Sequence, residues 1–358
     1  MRQAGIGTIL DLVFNHTGES DLQGPTLSFR GLDDAVYARG QDGSLINDAG
    51  TGNTLDFGYA PVRQMTLVAL RHFVTQAGVD GFRFDLAPIM GRSPGFDPRA
   101  AIFADIAADP VLADRVMIAE PWDIGPGGYQ LGAFPATWLE WNDRFRDDVR
   151  RFWRGDGSAG ALATRMAGST DIFGPTVTRT VNFVAAHDGF TLADAVAYAR
   201  RHNHANGEDN RDGHADEVSW SAGEEGQGRA EDVRALLATL FASRGTIMLA
   251  AGDEFGRTQG GNNNAYAQDN ATSWLNWEAR DRELEAFVAE LAAWRRAHPA
   301  IGAPEVRHDL SWSDVRGDAM TPAAWDGADG FVMRVGDGAG VRVDRGRRCV
   351  EVLPPHQA

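Results

Sequence analysis

The sequence predicts an α/β protein in which buried parallel strands alternate with helices, followed by a small β-rich region. Short, continuous apolar runs end abruptly in polar residues, as strands do when both faces of a parallel sheet are covered. Amphipathic helical patterns separate these runs, an alternation typical of (β/α) barrels and doubly wound sheets. No P-loop is present, and no glycine-rich fingerprint follows a predicted strand, so the nucleotide-binding version is disfavoured.

About six strand–helix units are predicted. The strand candidates cover residues 6–14, 79–84, 116–119, 137–141, 181–186 and 246–250. Helices are predicted from Pro61 to a C-terminal Gly78, from an N-cap at Asp97, and over residues 144–154, 192–201, 230–243 and 282–296. Beyond residue 298 the pattern changes to short β-like pieces at 330–335, 341–343 and 349–353. We therefore predict an α/β domain over 1–297, which as a barrel would be incomplete because six units are present rather than eight, and a short, reduced β-rich region over 298–358.

Composition removes several kinds of chemistry. The 358 residues include 34 basic ones, all of them arginine, so an amine for a Schiff base or a pyridoxal-phosphate anchor is absent. A net charge of -16 predicts neither nucleic acid nor anionic membrane as a partner. The one cysteine, Cys349, cannot form an internal disulfide, and the opening residues lack the apolar core of a signal peptide, so a cytoplasmic location is expected.

Charged residues stand at the ends of the predicted strands. Side chains alternate along a strand, so Phe82 and Phe84 share one face, while Arg83 and Asp85 share the other. A guanidinium beside Asp85 would keep that carboxylate ionised, which suits a nucleophile. The same alternation places Asp11 and Asn15 on one face of the preceding run, from which Asp11 could pair with Arg83 across neighbouring strands.

A second carboxyl group follows a later strand. Glu120 precedes Pro121 and Trp122, whose apolar bulk could desolvate the carboxyl and raise its pKa, as a general acid requires near neutral pH. One carboxyl kept charged and another kept protonated are the equipment of glycoside hydrolysis. Asp188, at the end of the run 181–186, supplies a third carboxylate.

Each of these residues alone has a simpler interpretation. An isolated Asp85 would be read as a helix N-cap, and an isolated His16 as a strand-end histidine. Trp122 could stack on a sugar or only pack the barrel rim. His202 and His204 lie near acidic residues, but their spacing fits no compact zinc pattern, so no metal is predicted.

Four segments in order carry a family resemblance: DLVFNHT (11–17), GFRFDLA (81–87), IAEPWD (118–123) and FVAAHD (183–188). They resemble the ordered motifs of the α-amylase superfamily. Further segments are similar, more narrowly, to bacterial glycogen debranching enzymes of the isoamylase type: GPTLSFRG (24–31), GNTLDF (52–57), EPWDIGPGGYQ (120–130), NGEDNRDG (206–213) and AGDEFGRTQGGNNNAYAQDN (251–270).

The resemblance implies roles for individual residues. Asp85 would be the nucleophile, Glu120 the general acid/base, and Asp188 the carboxylate that stabilises the transition state. His16, Arg83 and His187 would line the subsite of the cleaved sugar. The implied reaction is hydrolysis, with retention, of α-1,6 branch linkages in glycogen and limit dextrins, with a branched α-glucan as partner and without a cofactor.

The family's barrel has eight units after an N-terminal β domain, whereas Met1 stands a few residues before the motif of its third strand. We therefore expect a partial (β/α)8 TIM barrel lacking the first two units. Two alternatives to an active hydrolase stay open: an inactive glucan-binding fragment, which needs only aromatic and arginine contacts, and a related α-glucan transglycosylase, against which the loops at 120–130 and 206–213 argue.

Overall fold

The computed structural model describes residues 1–92, 94–305, 310–336, 338 and 340–354. They form two compact units, Met1–Trp141 and Asn142–Ala358. This division differs from the boundary at residue 298, which stays a prediction. Within the described part of the chain, no helix combines the length and apolar character needed to cross a bilayer.

The first unit alternates strands and helices. Its elements are β1 (Ile9–Leu12), α1 (Ala60–His72), β2 (Gly81–Phe84), α2 (Ala101–Ala108), β3 (Val116–Ala119) and β4 (Leu139–Asn142), the last residue of which begins the second unit. The four strands pair in parallel in chain order. This is the predicted strand–helix alternation.

Strand β2 is the centre of this unit's packing. Phe82 and Phe84 are 0% and 1% exposed and belong to one apolar cluster with residues of α1 and α2. The predicted end of the first helix is also confirmed, since Gly78 follows a further helical turn with φ +69°. A left-handed residue of this kind satisfies the last carbonyls of a helix at no steric cost when it is glycine.

Strand β1 departs from the prediction of burial on both faces. Ile9 is 40% exposed, and Val13, just beyond the strand, is 53% exposed. The physical reason is its place in the sheet: among the described residues β1 pairs with β2 and stands at the edge. One face of the strand therefore lacks the cover that the apolar sequence pattern anticipated.

The predicted start of the second helix is also wrong. Helix α2 begins at Ala101 with Ala100 as its N-cap, four residues after Asp97. The Asp97 carboxylate accepts the Arg99 N–H instead, and the Ala100 N–H donates to the Asp97 carbonyl. Local hydrogen bonds therefore form a turn where a cap was expected.

The second unit contains the remaining helices and two sets of strands. Its elements are α3 (Asp143–Arg154), α4 (Ala159–Met166), α5 (Thr170–Phe173), β5 (Thr180–Asn182), α6 (Leu192–Ala195), α7 (Ala230–Ala242), β6 (Thr246–Ile247), α8 (Arg282–Ala297), α9 (Pro299–Gly302), β7 (Leu310–Ser313), α10 (Pro322–Trp325), β8 (Gly330–Val335), β9 (Gly340–Asp344) and β10 (Cys349–Leu353). Strands β5 and β6 pair in parallel, while β7 to β10 form an antiparallel sheet in the order β10-β9-β8-β7.

Helix α6 is much shorter than the predicted 192–201. Carbonyls at its last residue and just beyond it accept N–H groups from elsewhere in the unit: Ala195 O accepts the Trp220 N–H, and Ala197 O accepts the Gly226 N–H. These bonds replace the i to i+4 bonds that would continue the helix. The antiparallel strands, in contrast, cover the β pieces predicted after residue 298, and Phe331, Val341 and Val343 are fully buried in the unit's core.

Candidate active site

The buried guanidinium of Arg83 organises the cluster of charges in the first unit. Its Nη1 lies 2.7 Å from Asp11 Oδ1 and 3.0 Å from Asp85 Oδ1. Its Nη2 lies 2.8 Å from Glu120 Oε2, as an ion pair without hydrogen-bond geometry. The Arg83 side chain is 5% exposed, so one desolvated cation serves three carboxyl groups.

Strand geometry explains how this arginine reaches its partners. In the parallel pairing of β1 and β2, Asp11 stands opposite Arg83, which confirms the predicted cross-strand pair. Because Phe82 and Phe84 enter the core, the alternation of β2 turns Arg83 toward the opposite face. The guanidinium also lies 4.2 Å from the centroid of the Trp141 ring, an aromatic partner absent from the prediction.

Asn15 links Asp85 to His16. Its Nδ2 donates to Asp85 Oδ2 at 2.8 Å and to the Asp85 carbonyl at 3.0 Å, while its Oδ1 contacts His16 Nδ1. Asn15 itself is 1% exposed. Burial lowers the pKa of His16 against the opposing charge of Asp85, which favours a neutral imidazole at pH 7. The Asp85 carboxylate is thus oriented by one arginine and one amide.

Glu120 follows β3, and its side chain is 8% exposed. Burial raises the pKa of this carboxyl to about 7, with Arg83 acting in the opposite direction and the charge of Asp85 adding to the rise. A hydrogen bond with the Asp85 carboxyl contributes in the same upward sense. The sequence-based expectation of a raised pKa therefore has a physical basis in burial and a like-charged neighbour.

A backbone group that the sequence did not reveal also holds Glu120. The Leu86 N–H donates to Glu120 Oε2 at 2.8 Å. Leu86 adopts φ +42°, a left-handed conformation that costs a non-glycine residue about 1–2 kcal/mol. The strain lies directly after Asp85 and aims a backbone donor at the second carboxyl. Strained residues of this kind cluster at functional sites.

His187 and Asp188 form a pair of their own in the second unit. His187 Nε2 lies 3.3 Å from Asp188 Oδ2, and the two side chains are 54% and 61% exposed. His187 is the fifth residue after the end of β5. The association of this pair with the carboxylates of the first unit stays a prediction.

The remaining predicted contact is Trp122. Trp122 is half-buried in a loop. In the same loop the carboxylate of Asp123 accepts hydrogen bonds from Arg92 Nη2 at 2.6 Å and from Arg92 Nε at 2.8 Å. A stacking role for Trp122 stays a prediction. Among the described residues, no group of three or more His, Cys, Asp and Glu side chains could hold a metal ion.

Comparison with known proteins adds an independent line of evidence. No family model matches the chain. It is 47% identical over 343 residues to a glycogen debranching enzyme of Yersinia enterocolitica, covering 91% of this chain and 52% of that protein. It is 45% identical over 351 residues to a glycogen debranching enzyme of Serratia proteamaculans, with coverages of 92% and 52%.

Solved structures show the same fold at lower identity. A type I pullulanase of Bacillus subtilis in complex with maltose gives a TM-score of 0.72 at 21% identity, covering 95% of this chain and 47% of that one. A pullulanase of Anoxybacillus in complex with maltotriose also gives 0.72, at 23% identity, with coverages of 96% and 48%. The predicted class, a partial (β/α)8 barrel followed by a β region, is confirmed.

The chain spans about half the length of the curated relatives it matches. The similarity nevertheless extends over nine-tenths of the chain at nearly half of its positions, and it includes the segments that carry Arg83, Asp85 and Glu120. The chain is thus similar, over nine-tenths of its own length, to about half of a bacterial glycogen debranching enzyme, and it shares its fold with pullulanases.

Proposed function

We propose that this chain provides the catalytic residues of a retaining glycoside hydrolase that cleaves α-1,6 branch linkages of glycogen and limit dextrins. The observation that carries the proposal is the pair Asp85 and Glu120 on one buried arginine. One carboxyl is held beside a cation and an amide donor, and the other has a pKa of about 7. A carboxyl beside a cation suits a nucleophile, and a carboxyl with a pKa of about 7 suits a group that acts first as an acid and then as a base.

In the first step Glu120 gives its proton to the glycosidic oxygen as the bond to the anomeric carbon breaks. Asp85 Oδ attacks that carbon, which yields a glycosyl ester and the freed chain. In the second step Glu120, now ionised, takes a proton from water, whose oxygen displaces Asp85. Two inversions at one carbon give net retention, and Glu120 ends protonated as it began.

The arginine that the two carboxyls share supports retention. An inverting pair stands roughly 6.5–9.5 Å apart to admit a water molecule, whereas a retaining pair is about 5–5.5 Å apart. Asp85 contacts Nη1 of Arg83 and Glu120 contacts Nη2 of the same guanidinium. Two carboxyls held by one guanidinium lie close to one another, which favours the retaining arrangement.

The other proposed roles concern the sugar. Asp188 would bind hydroxyl groups of the cleaved unit most strongly in the transition state, and His16 and His187 would contact the same unit. Trp122 would stack on a sugar face. The similarity to glycogen debranching enzymes, and the maltose and maltotriose in the pullulanase complexes, favour a branched α-glucan as substrate.

The proposed setting agrees with the charge of the chain. A net charge of -16 disfavours nucleic acid and anionic membranes, while a neutral glucan is indifferent to it. The single cysteine needs no oxidising compartment. We place the reaction in the cytoplasm.

A second candidate is glucan binding without turnover. It is favoured by the exposure at the edge strand, where the Asp11 side chain is 52% exposed although it belongs to the Arg83 cluster. Catalytic carboxylates work best where water is excluded, and an open side weakens every ion pair of the cluster.

The test is incubation of the purified chain with branched limit dextrin. We expect release of linear maltooligosaccharides by the wild type, none by Asp85→Asn, and an unchanged rate for Asp105→Asn. Asp105 is the matched control because it lies on α2, paired with Arg63 at 3.4 Å and outside the cluster. Calorimetric binding of maltooligosaccharides without any release would favour the binding candidate. An unchanged rate in Asp85→Asn would remove the nucleophile assignment.

A further inference from the structure

The second unit contains a buried ion pair that the reaction described above does not use. Arg150 of α3 and Glu217 have side chains that are 1% and 5% exposed. Arg150 Nη1 donates to Glu217 Oε1 at 2.8 Å. A buried pair of this type is weak evidence for stability, because desolvation of both ions opposes their attraction. Its contacts with the backbone indicate a different use.

Both partners hold the segment that carries His187 and Asp188. On the N-terminal side, Arg150 Nε donates to the Val184 carbonyl at 2.8 Å. On the C-terminal side, the Phe190 N–H donates to both oxygens of Glu217, each at 3.0 Å. The ion pair thus spans the bend from both ends. Because Arg150 and Glu217 are themselves joined, the two anchor points cannot move independently.

Gly189, between Asp188 and Phe190, packs closely against the Glu217 carboxylate of this ion pair. It has φ +87°, and a Cβ added there would lie 2.6 Å from Glu217 Oε1. Its N–H donates to the Asn263 carbonyl at 3.2 Å, and Asn263 Nδ2 donates to Glu217 Oε2 at 3.2 Å. Only glycine satisfies both the left-handed conformation and the close approach.

The donor count shows why the anchor is a carboxylate. Oε1 of Glu217 accepts from Arg150 and Phe190, and Oε2 accepts from Phe190 and Asn263. A glutamine offers one acceptor oxygen and one NH2 group. In either orientation its NH2 would face a donor, so an amide cannot satisfy this site.

We propose that Glu217, locked by Arg150, is a positioning residue that fixes the backbone on which Asp188 is presented to substrate. The proposal rests on the proposed function for the role of Asp188. The side chains of His187 and Asp188 are more than half exposed, and the buried contacts of Arg150 and Glu217 fix the backbone on either side of them. A misplacement of about 1 Å can cost on the order of 100-fold in rate.

The test compares Glu217→Gln with Asp232→Asn. Asp232 is fully buried, and the hydrogen bonds of its carboxylate go to Arg348 and, at 2.9 Å, to Trp220 Nε1 rather than to residues 184–190. Both changes convert a buried, arginine-paired carboxylate to its amide. We expect hydrogen exchange of residues 186–191 to accelerate in Glu217→Gln but not in Asp232→Asn. We also expect kcat on limit dextrin to fall about 10- to 100-fold in Glu217→Gln with little change in KM, because the Asp188 contact is strongest in the transition state.

Gly189→Ala is a second variant. It keeps the charges of Arg150 and Glu217, but its added Cβ would collide with Glu217 Oε1. It should accelerate exchange in the same peptide, whether or not Glu217→Gln folds. Exchange of 186–191 that matches the wild type in either variant overturns the proposal. A wild type that shows this protection without turnover would instead count against the proposed function, so the two failures are distinguishable.

Discussion

Replacement of Glu120 by glutamine should make the protein increasingly stable relative to wild type as pH rises, although most mutations at buried sites destabilise a protein. Burial, opposed by Arg83 and reinforced by Asp85, raises the pKa of Glu120 from 4.5 to about 7. The folded state therefore binds this proton more tightly than the unfolded state does. The stabilisation is complete below the unfolded pKa and is lost as pH rises through the folded one.

The magnitude follows from the same values. One pKa unit corresponds to about 1.4 kcal/mol, so ionisation of Glu120 removes about 3 kcal/mol of stability between pH 4.5 and 8. Glutamine stays neutral throughout and still offers an oxygen to the Leu86 N–H. The free energy of unfolding of Glu120→Gln, relative to wild type, should therefore rise by about 3 kcal/mol over that interval.

Urea titrations at several pH values between 4.5 and 8 measure this difference. Glu19→Gln is the control, because the pKa of Glu19 is shifted in the opposite direction to that of Glu120. Burial alone would raise the pKa of Glu19, but hydrogen bonds from Tyr37 and from the N–H groups of Ser28, Arg30 and Leu27 lower it to about 2. Stability from Glu19 is present above its ordinary pKa, so this variant should be uniformly less stable across the range. A pH-independent difference for Glu120→Gln would refute the argument from burial.

Three further predictions concern turnover of limit dextrin. kcat/KM should fall as pH rises through about 7, because Glu120 must be protonated for the first step; a profile flat to pH 9 would contradict this. Arg83→Met should lose turnover and about 3 kcal/mol of stability in urea unfolding, since it removes the cation from the buried Glu120 and the partly buried Asp85; unchanged stability would argue against a desolvated cluster. Asn15→Ala should lower kcat/KM about 10- to 100-fold, the equivalent of a hydrogen bond to a charged Asp85, with Asn47→Ala in the adjoining loop as a control; equal rates in both variants would contradict the orienting role.

The predictable part of the site follows from local geometry. The period of two along β2 separates Phe82 and Phe84 from Arg83, and parallel pairing then sets Asp11 opposite the arginine. Both inferences need only the strand assignment. The abrupt change from apolar to polar residues at strand ends supplied that assignment.

The unpredicted part depends on contacts between distant positions. The Leu86 N–H finds Glu120 across 34 residues, and Arg150 finds Glu217 across 67. Neither contact has a spacing or a motif of its own. The early end of α6 has the same origin, since the carbonyls of Ala195 and Ala197, at and just after that end, accept the N–H groups of residues 220 and 226.

In β1, by contrast, the sequence predicted burial that the structure does not have. The apolar run from residue 6 to 14 has the composition of a strand covered on both faces, yet Ile9 and Val13 are 40% and 53% exposed. A continuous apolar pattern indicates that a strand is suited to burial on both of its faces. It does not record whether a neighbouring strand supplies that cover.

The most direct test of the central claim, that Asp85 and Glu120 act as a retaining pair, is capture of the covalent intermediate. A fluorinated maltosyl fluoride that forms the glycosyl ester quickly and hydrolyses it slowly should label the chain, and peptide mass spectrometry should find the sugar on Asp85. A sugar on another carboxylate, or no label on a chain that hydrolyses limit dextrin, would contradict the assignment.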